Sequence, residues 1–452
     1  MPSQGTIGDR VRGLRLSRRM SQAQLAGPDL SDSYVSLIES GKRTPTPVVA
    51  RLLAERLGCT TEFLLHGVEP RQRIDTELGL RHAELELHHG DPALAVDRFG
   101  EIVKAAGEEN AVISALARFG RARALESQGR VGPAVEAFER LRREAAAHPE
   151  RLADLPLTVA LSRCYLRAGD TLRAHDLAHD ALVQVNRLAL TQGEIAVDLA
   201  AALMETDASR GTDSPGLAYV RQVIMDNGVP SAVNREAEVH SLWQASATAA
   251  EGEDSALAVR LADDAIATGR PSRMALRLAL IAMEWSRLAA SRDDEPMSGI
   301  PELASAAGEV FASFPSLVGE RAKSLIVLAH VQLRTGDSAG AVRLAGSALD
   351  VLGERPDGIG ATAHLLLAEI ALAHGAGDAL TSLRNAQALL DGLGPASAGS
   401  DRETARVWRR LGDLYGQAGA QDAQTAAYRK ALEAVGVRGA LVGMTVDSAL
   451  VR

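Results

Sequence analysis

A turn-and-helix signal that returns roughly every forty residues constrains this chain more than any other feature. Gly90-Asp91 precedes Ala95, Gly129-Arg130 precedes Ala134, and Gly169-Asp170 precedes Ala174. The same grouping returns at Gly252-Glu253 with Ala258, at Gly336-Asp337 with Ala341, near Gly375 to Asp378, and at Gly419. Two gaps are about twice as long. Each holds one repeat with a degenerate turn, near Arg210-Gly211-Thr212-Asp213 and from Asp293 to Gly299. Long helices fill the stretches between turns, giving about nine helix pairs with a period near 41 residues. One pair cannot bury its apolar face alone, whereas stacked pairs share a continuous core, so the pattern predicts an α-solenoid.

The last pair carries the clearest motif. Trp408, Leu411, Gly412 and Tyr415, followed by Tyr428 and Ala431, resemble the tetratricopeptide pattern W-x2-L-G-x2-Y with its later aromatic and alanine. Leu161, Ser162, Tyr165, Ala174, Ala178 and Ala181 match it a second time. The period exceeds the about 34 residues usual for that repeat, so longer helices are expected. HEAT-type or other α-solenoid repeats are the alternative. After about Val437 the period is lost, and residues 438–452 read as a tail.

Composition fits small-residue helix packing: 46% of residues are hydrophobic and only 3% aromatic. At 452 residues the chain exceeds one ordinary core, so more than one unit is expected. Lysine occurs only at Lys42, Lys104, Lys323 and Lys430; with the Ala and Gly excess this points to a GC-rich bacterial genome. The net charge of −9 is unevenly spread. Residues 1–70 hold nine Lys/Arg against seven Asp/Glu, which is +2, and the remainder holds 40 against 51, which is −11. Phosphate affinity is therefore expected at the N-terminal end. Two cysteines, Cys59 and Cys164, lie far apart within apolar patterns, which fits a reducing cytoplasm. No apolar leader follows Met1 and no run reaches about 18 apolar residues, so neither a signal peptide nor a membrane span is expected.

Within the N-terminal end, Ser21 to Arg43 reads as two short helices around a Gly-Pro turn. Ser21 and Ser31 are good N-caps, Leu25, Ala26, Val35 and Ile38 point inward, and Gly41 stops the second helix. That is a helix-turn-helix, whose second helix enters the DNA major groove. A helix over Ile7 to Arg19 precedes it, with Ile7, Val11 and Leu14 inward and Arg10, Arg12, Arg18 and Arg19 able to face out. Val48 to Leu57 and Thr61 to His66, capped by Thr60, follow, and Val68-Glu69-Pro70 reads as a linker.

Ser21-Gln22, Leu25-Ala26, Ser31 to Ser36, Ile38 to Gly41 and Lys42 to Pro45 resemble the XRE-type, or phage-repressor-type, helix-turn-helix at fixed offsets. The resemblance covers roughly residues 5–68 and implies a five-helix lambda-repressor-like DNA-binding domain over residues 1–69; with the tetratricopeptide-like repeats over 70–437, the chain is expected to be all-α. The resemblance implies that Arg15 pairs with Glu39, tying the first helix to the reading helix. It also implies that Gln22 braces base-reading side chains, with Asp32, Ser33 and Leu37 at base edges and Ser36 nearby. Ser31, Lys42 and Arg43 complete the expected DNA contacts. The chain departs from commoner members, in which long amides or arginines make bidentate base contacts. Asp32 can accept from a cytosine amino group and Leu37 can touch a thymine methyl, so DNA shape and dimer spacing are expected to contribute.

Catalytic signatures are missing: there is no H-E-x-x-H, G-x4-G-K-[ST] or Cys-x2-Cys. No enzyme, cofactor or metal site is expected. His175 and His179, beside Asp176 and Asp180, have a spacing that could hold a metal but read as a polar helix face. In the repeats, Arg123, Arg163, His330 and Asp413 fall at positions expected to line the concave face and bind a ligand. The layout resembles the peptide-pheromone regulators of the RRNPP group, which implies a short peptide in the repeat groove; a small-molecule or protein effector is the alternative. Because one head has few strong base contacts, a homodimer on an inverted-repeat operator is expected. A repeat scaffold controlling another regulator is the alternative.

Overall fold

The computed structural model describes residues 6–66, 70–106, 110–207, 214–230, 234–291, 297–353, 358–374, 379–393 and 402–435. Every regular element among them is a helix. The chain divides into two compact units, Met1–Arg187 with Arg235–Pro271, and Leu188–Asn234 with Ser272–Arg452.

The first unit begins with five short helices: α1 (Ile7–Ser17), α2 (Gln22–Ala26), α3 (Asp32–Glu39), α4 (Pro47–Arg56) and α5 (Thr61–His66). Hydroxyl side chains start each of them. Thr6 and Ser21 form capping boxes with Asp9 and Gln24, and Ser31 and Thr46 accept from the Tyr34 and Val49 amides. Thr60 accepts from the Phe63 amide at 3.1 Å. These bonds satisfy amides that have no partner inside the helix. Val11, Leu25, Val35, Ile38, Leu53, Leu57 and Leu64 form the shared core. The first helix stops at Ser17, short of the expected Arg19, because Arg19 adopts φ 54° and reverses the chain.

Paired helices follow: α6 (Pro70–His89) with α7 (Pro92–Ala106), α8 (Ala111–Ser127) with α9 (Val131–Ala147), and α10 (Asp154–Arg167) with α11 (Thr171–Arg187). In chain order come α12 (Glu194–Asp207), α13 (Pro215–Asn227), α14 (Glu236–Glu251) and α15 (Ser255–Ala290). The remainder is α16 (Ile300–Ala312), α17 (Val318–Arg334), α18 (Ser338–Leu352), α19 (Gly358–Ala373), α20 (Ala379–Gly392), α21 (Arg402–Gln417) and α22 (Gln421–Ala434). The repeat reading holds in detail. Ser162 donates to the Ala174 carbonyl and Ser246 to the Ala258 carbonyl, both at 2.7 Å, so two pairs carry the same stitch. In the last pair Trp408, Leu411 and Tyr415 are buried together, and a Cβ on Gly412 would stand 2.6 Å from the Tyr428 ring.

Two features depart from a simple stack in chain order. The 36-residue α15 runs unbroken through Pro271, serving as the second helix of one pair and the first of the next. Within the first unit, α14 and the start of α15 pack on α6: Val239, Ala258, Ala262 and Ala265 share a core with Leu78 and Leu85. Arg81 pairs with Asp263 at 2.6 Å and His82 Nε2 lies 2.8 Å from the Ser246 hydroxyl. In the second unit, Arg277 pairs with Asp198 at 2.8 Å and joins α15 to α12. The predicted turns at Arg210 to Asp213 and Gly375 to Asp378, most of Asp293 to Gly299, and the tail lie outside the described residues. No described helix is long and apolar enough to cross a membrane.

Candidate nucleic-acid interface

Helix α3 has two unlike sides. Val35, Ile38 and Glu39 are buried, whereas Asp32, Ser33, Ser36 and Leu37 are exposed. Ser31 holds the helix start, and its hydroxyl lies 3.1 Å from that of Ser33. An exposed face of one carboxylate, small hydroxyls and one isobutyl group can meet base edges by single hydrogen bonds and a methyl contact.

The buried side is fixed by a charged cluster. Arg15 donates to Glu39 from Nε at 2.6 Å and from Nη2 at 3.0 Å, and its Nη1 donates to the Met20 carbonyl at 2.8 Å. Gln22 Nε2 donates to the same carboxylate at 2.8 Å. The Arg15 and Glu39 side chains are only 10% and 5% exposed. Burial pushes the Glu39 carboxyl up, but the hydrogen bonds from Arg15 and Gln22 and the nearby positive charge outweigh it and hold the group below its ordinary value. Gly8 brings α1 onto the end of α3: a Cβ there would meet the Ile38 carbonyl and stand 3.0 Å from that of Glu39. The predicted Arg15–Glu39 tie is present, and Gln22 belongs to it.

Beyond α3, Gly41 turns at φ 71° and the Lys42 and Arg43 amides return to the Leu37 carbonyl at 3.0 and 3.2 Å. Arg43 is exposed, with its guanidinium 4.6 Å from the Tyr34 ring centre. Lys42, Arg12 and Arg19 are exposed as well. Arg18 is exposed as well and Arg10 half-buried, and both also bond to the fold. Arg10 donates to the Leu64 and Leu65 carbonyls at 3.1 and 2.7 Å, and Arg18 to the Gly58 carbonyl at 3.1 Å. Helix-end carbonyls lack intrahelical donors, and a guanidinium supplies them. The sequence reading also missed Arg56. Its guanidinium holds the Leu25 and Ala26 carbonyls and pairs with Asp29, fixing the turn between α2 and α3. No local spacing signals this contact, because Arg56 enters from α4.

The four ligand candidates fall in both units. Arg123 lies 5.9 Å from the Phe119 ring centre. Arg163 donates to Glu126 at 3.1 and 3.3 Å, and Glu126 is buried. Both belong to the first unit. In the second unit, His330 Nδ1 lies 2.9 Å from the Ile326 carbonyl, and burial lowers its basicity. Asp413 accepts from the Tyr428 hydroxyl at 2.7 Å. Arg163, His330 and Asp413 thus each have a partner within their own unit. His175 and His179 lie side by side, ring centres 4.1 Å apart.

Residues 11–64 match the helix-turn-helix family HTH_3. No curated protein matches the chain. Among solved structures, the chain is similar to the apo form of the quorum sensor NprR from B. thuringiensis, with 11% identity over 95% of this chain and 99% of that one, at a TM-score of 0.45. It is similar to the apo form of RapI, with 12% identity over 95% and 97% of the two chains, at a TM-score of 0.46. Bacillus thuringiensis PlcR, solved with the peptide PapR7 and DNA, is 13% identical over 71% of this chain and 99% of its own, at a TM-score of 0.29. The N-terminal helices form an XRE-type helix-turn-helix domain, and an array of tetratricopeptide-like helix pairs follows it.

Proposed function

We propose that the chain is a sequence-specific DNA-binding transcriptional regulator. Residues 1–69 act as the reading head, residues 70–437 dimerise and sense an effector, and residues 438–452 are a tail. Ser31, Asp32, Ser33, Ser36 and Leu37 meet the major groove with Gln22 as their brace at the DNA, while Lys42 and Arg43 meet phosphates. The effector is a peptide, a small molecule or a protein, and the protein works in a bacterial cytoplasm without catalysing a reaction. The supporting observation is the polar exposed face of α3, held rigidly from behind by Arg15, Glu39 and Gln22. Preorganised presentation of that kind lets short side chains act as readers.

The test is selection of bound sequences from a random duplex library by the full chain. An inverted repeat whose half-sites lie about one helical turn apart is the expected outcome. Ser33→Ala should weaken selection and leave folding intact. Retention of all sequences equally, at low and moderate salt, would overturn the reading. The scaffold alternative would then gain, and one observation favours it: the exposed face of α3 carries no arginine or long amide.

A further inference from the structure

In the second unit a cavity of about 350 Å3 opens where the end of α18, the start of α19 and the middle of α20 meet. Its walls are Leu349 and Leu352 of α18, Gly360 and His364 of α19, and Asn385 and Leu389 of α20. Gly360 keeps the space open: a Cβ there would stand 3.2 Å from Leu389 and 3.7 Å from Leu352. One polar atom is out of place in this lining. His364 Nδ1 is shielded from solvent and has no hydrogen-bond partner among the described residues. Leaving such a group unpaired costs about 1–3 kcal/mol, so native structures rarely do so without a partner from outside the chain. Burial also lowers the basicity of His364, which keeps the imidazole neutral. Among the described residues, no charged side chain lines the cavity.

We propose that this cavity binds a small uncharged molecule with an alkyl body and a hydroxyl or amide head, the head pairing with His364 Nδ1 and the Asn385 amide. Apolar walls with a few convergent polar groups, at this volume, are the usual make-up of a small-ligand site. A hydroxyl both donates and accepts, so it satisfies Nδ1 in either neutral tautomer. Among the described lining residues a carboxylate head finds no cation and an ammonium head no anion, and each would lose hydration on entering. The site rests on its own geometry and stands whether or not α3 reads DNA.

The experiment is titration of the full-length protein with 1-hexanol, hexanoate and hexylammonium, followed by saturation-transfer NMR. Hexanol should bind saturably, and the two ions about tenfold more weakly or not at all. His364→Leu should weaken hexanol about tenfold. Ala388→Trp, placed on the exposed rim to fill the opening, should abolish binding without touching the core. Circular dichroism checks that both variants fold, and Ala388→Trp decides if His364→Leu does not. Failure of hexanol to saturate, equal binding of the ions, or undiminished binding by Ala388→Trp overturns the proposal.

Discussion

Glu39 accepts two hydrogen bonds from Arg15 and one from Gln22 while almost wholly removed from water. Removing it strands a buried guanidinium, so Glu39→Ala should destabilise the head by about 3 kcal/mol. Gln22→Ala removes one bond to the charged carboxylate and should cost about 1–2 kcal/mol. Hydrogen-exchange protection of the α1 and α3 amides in the full chain checks both, and unchanged protection in Glu39→Ala would refute the first. The pH dependence has a definite sign. The folded Glu39 carboxyl titrates below its ordinary value of 4.5, so its contribution is fully present above 4.5 and is lost as pH falls through the lower folded value. The protection gap between wild type and Glu39→Gln should therefore narrow only under acid conditions. Cys164 provides a separate check on burial. Loss of solvent, with the nearby Glu126 charge, pushes its thiol up to about 12, so a thiol reagent should modify the half-buried Cys59 long before Cys164. Equal labelling rates would contradict the packing of α10. The Arg15–Glu39 pair was legible from the sequence because its family offsets are fixed. Arg10, Arg18 and Arg56 were not, because their partners are backbone carbonyls brought near only by the tertiary fold.

Helix boundaries were legible wherever a hydroxyl residue precedes an apolar period, as at Ser21, Ser31 and Thr60, because the cap is a local bond. The unbroken α15 was not legible. Gly269-Arg270-Pro271 carries turn residues, yet Ala265 on one side and Ala275 on the other are both buried along one continuous helix. Tertiary packing there overrides the local preference for a break. The repeat glycines give a prediction whose sign depends on their neighbours. Glycine-to-alanine exchange inside a helix gains about 1 kcal/mol from propensity alone. At Gly412 the facing Tyr428 ring is only half-buried and can swing outward at the cost of its exposed bond to Asp413, about 0.5–1.5 kcal/mol, so Gly412→Ala should be near neutral. At Gly120 the new methyl would strike the ring of Phe99, which is 2% exposed and cannot yield. Overpacking of about 1–3 kcal/mol should therefore outweigh the propensity gain. Urea unfolding of the two variants decides the matter, and a Gly120→Ala chain as stable as wild type would mean that α7 and α8 are not clamped as described.

Charge divides the whole chain into a mildly basic head of +2 and an acidic remainder of −11. The array therefore cannot aid DNA affinity by simple attraction, and its part in the proposed function must be geometric or regulatory. The sequence period disclosed most of this array. It could not show that residues from Val239 to Ala265 share a core with α6, because that contact joins repeats distant in the chain and leaves no mark on the local pattern. If the array senses, effector binding and DNA binding must be reciprocally linked: the factor by which effector changes DNA affinity is the factor by which DNA changes effector affinity. The decisive exchange replaces residues 71–452 with an unrelated dimerising helix and follows operator occupancy in cells through growth. With two heads still joined, binding should persist, since paired half-site contacts supply the affinity. Any change of occupancy that the native chain shows through growth should be lost, because the substitute has no effector site. A substitute whose occupancy follows the same course as the native chain would show that the array serves only to pair the heads.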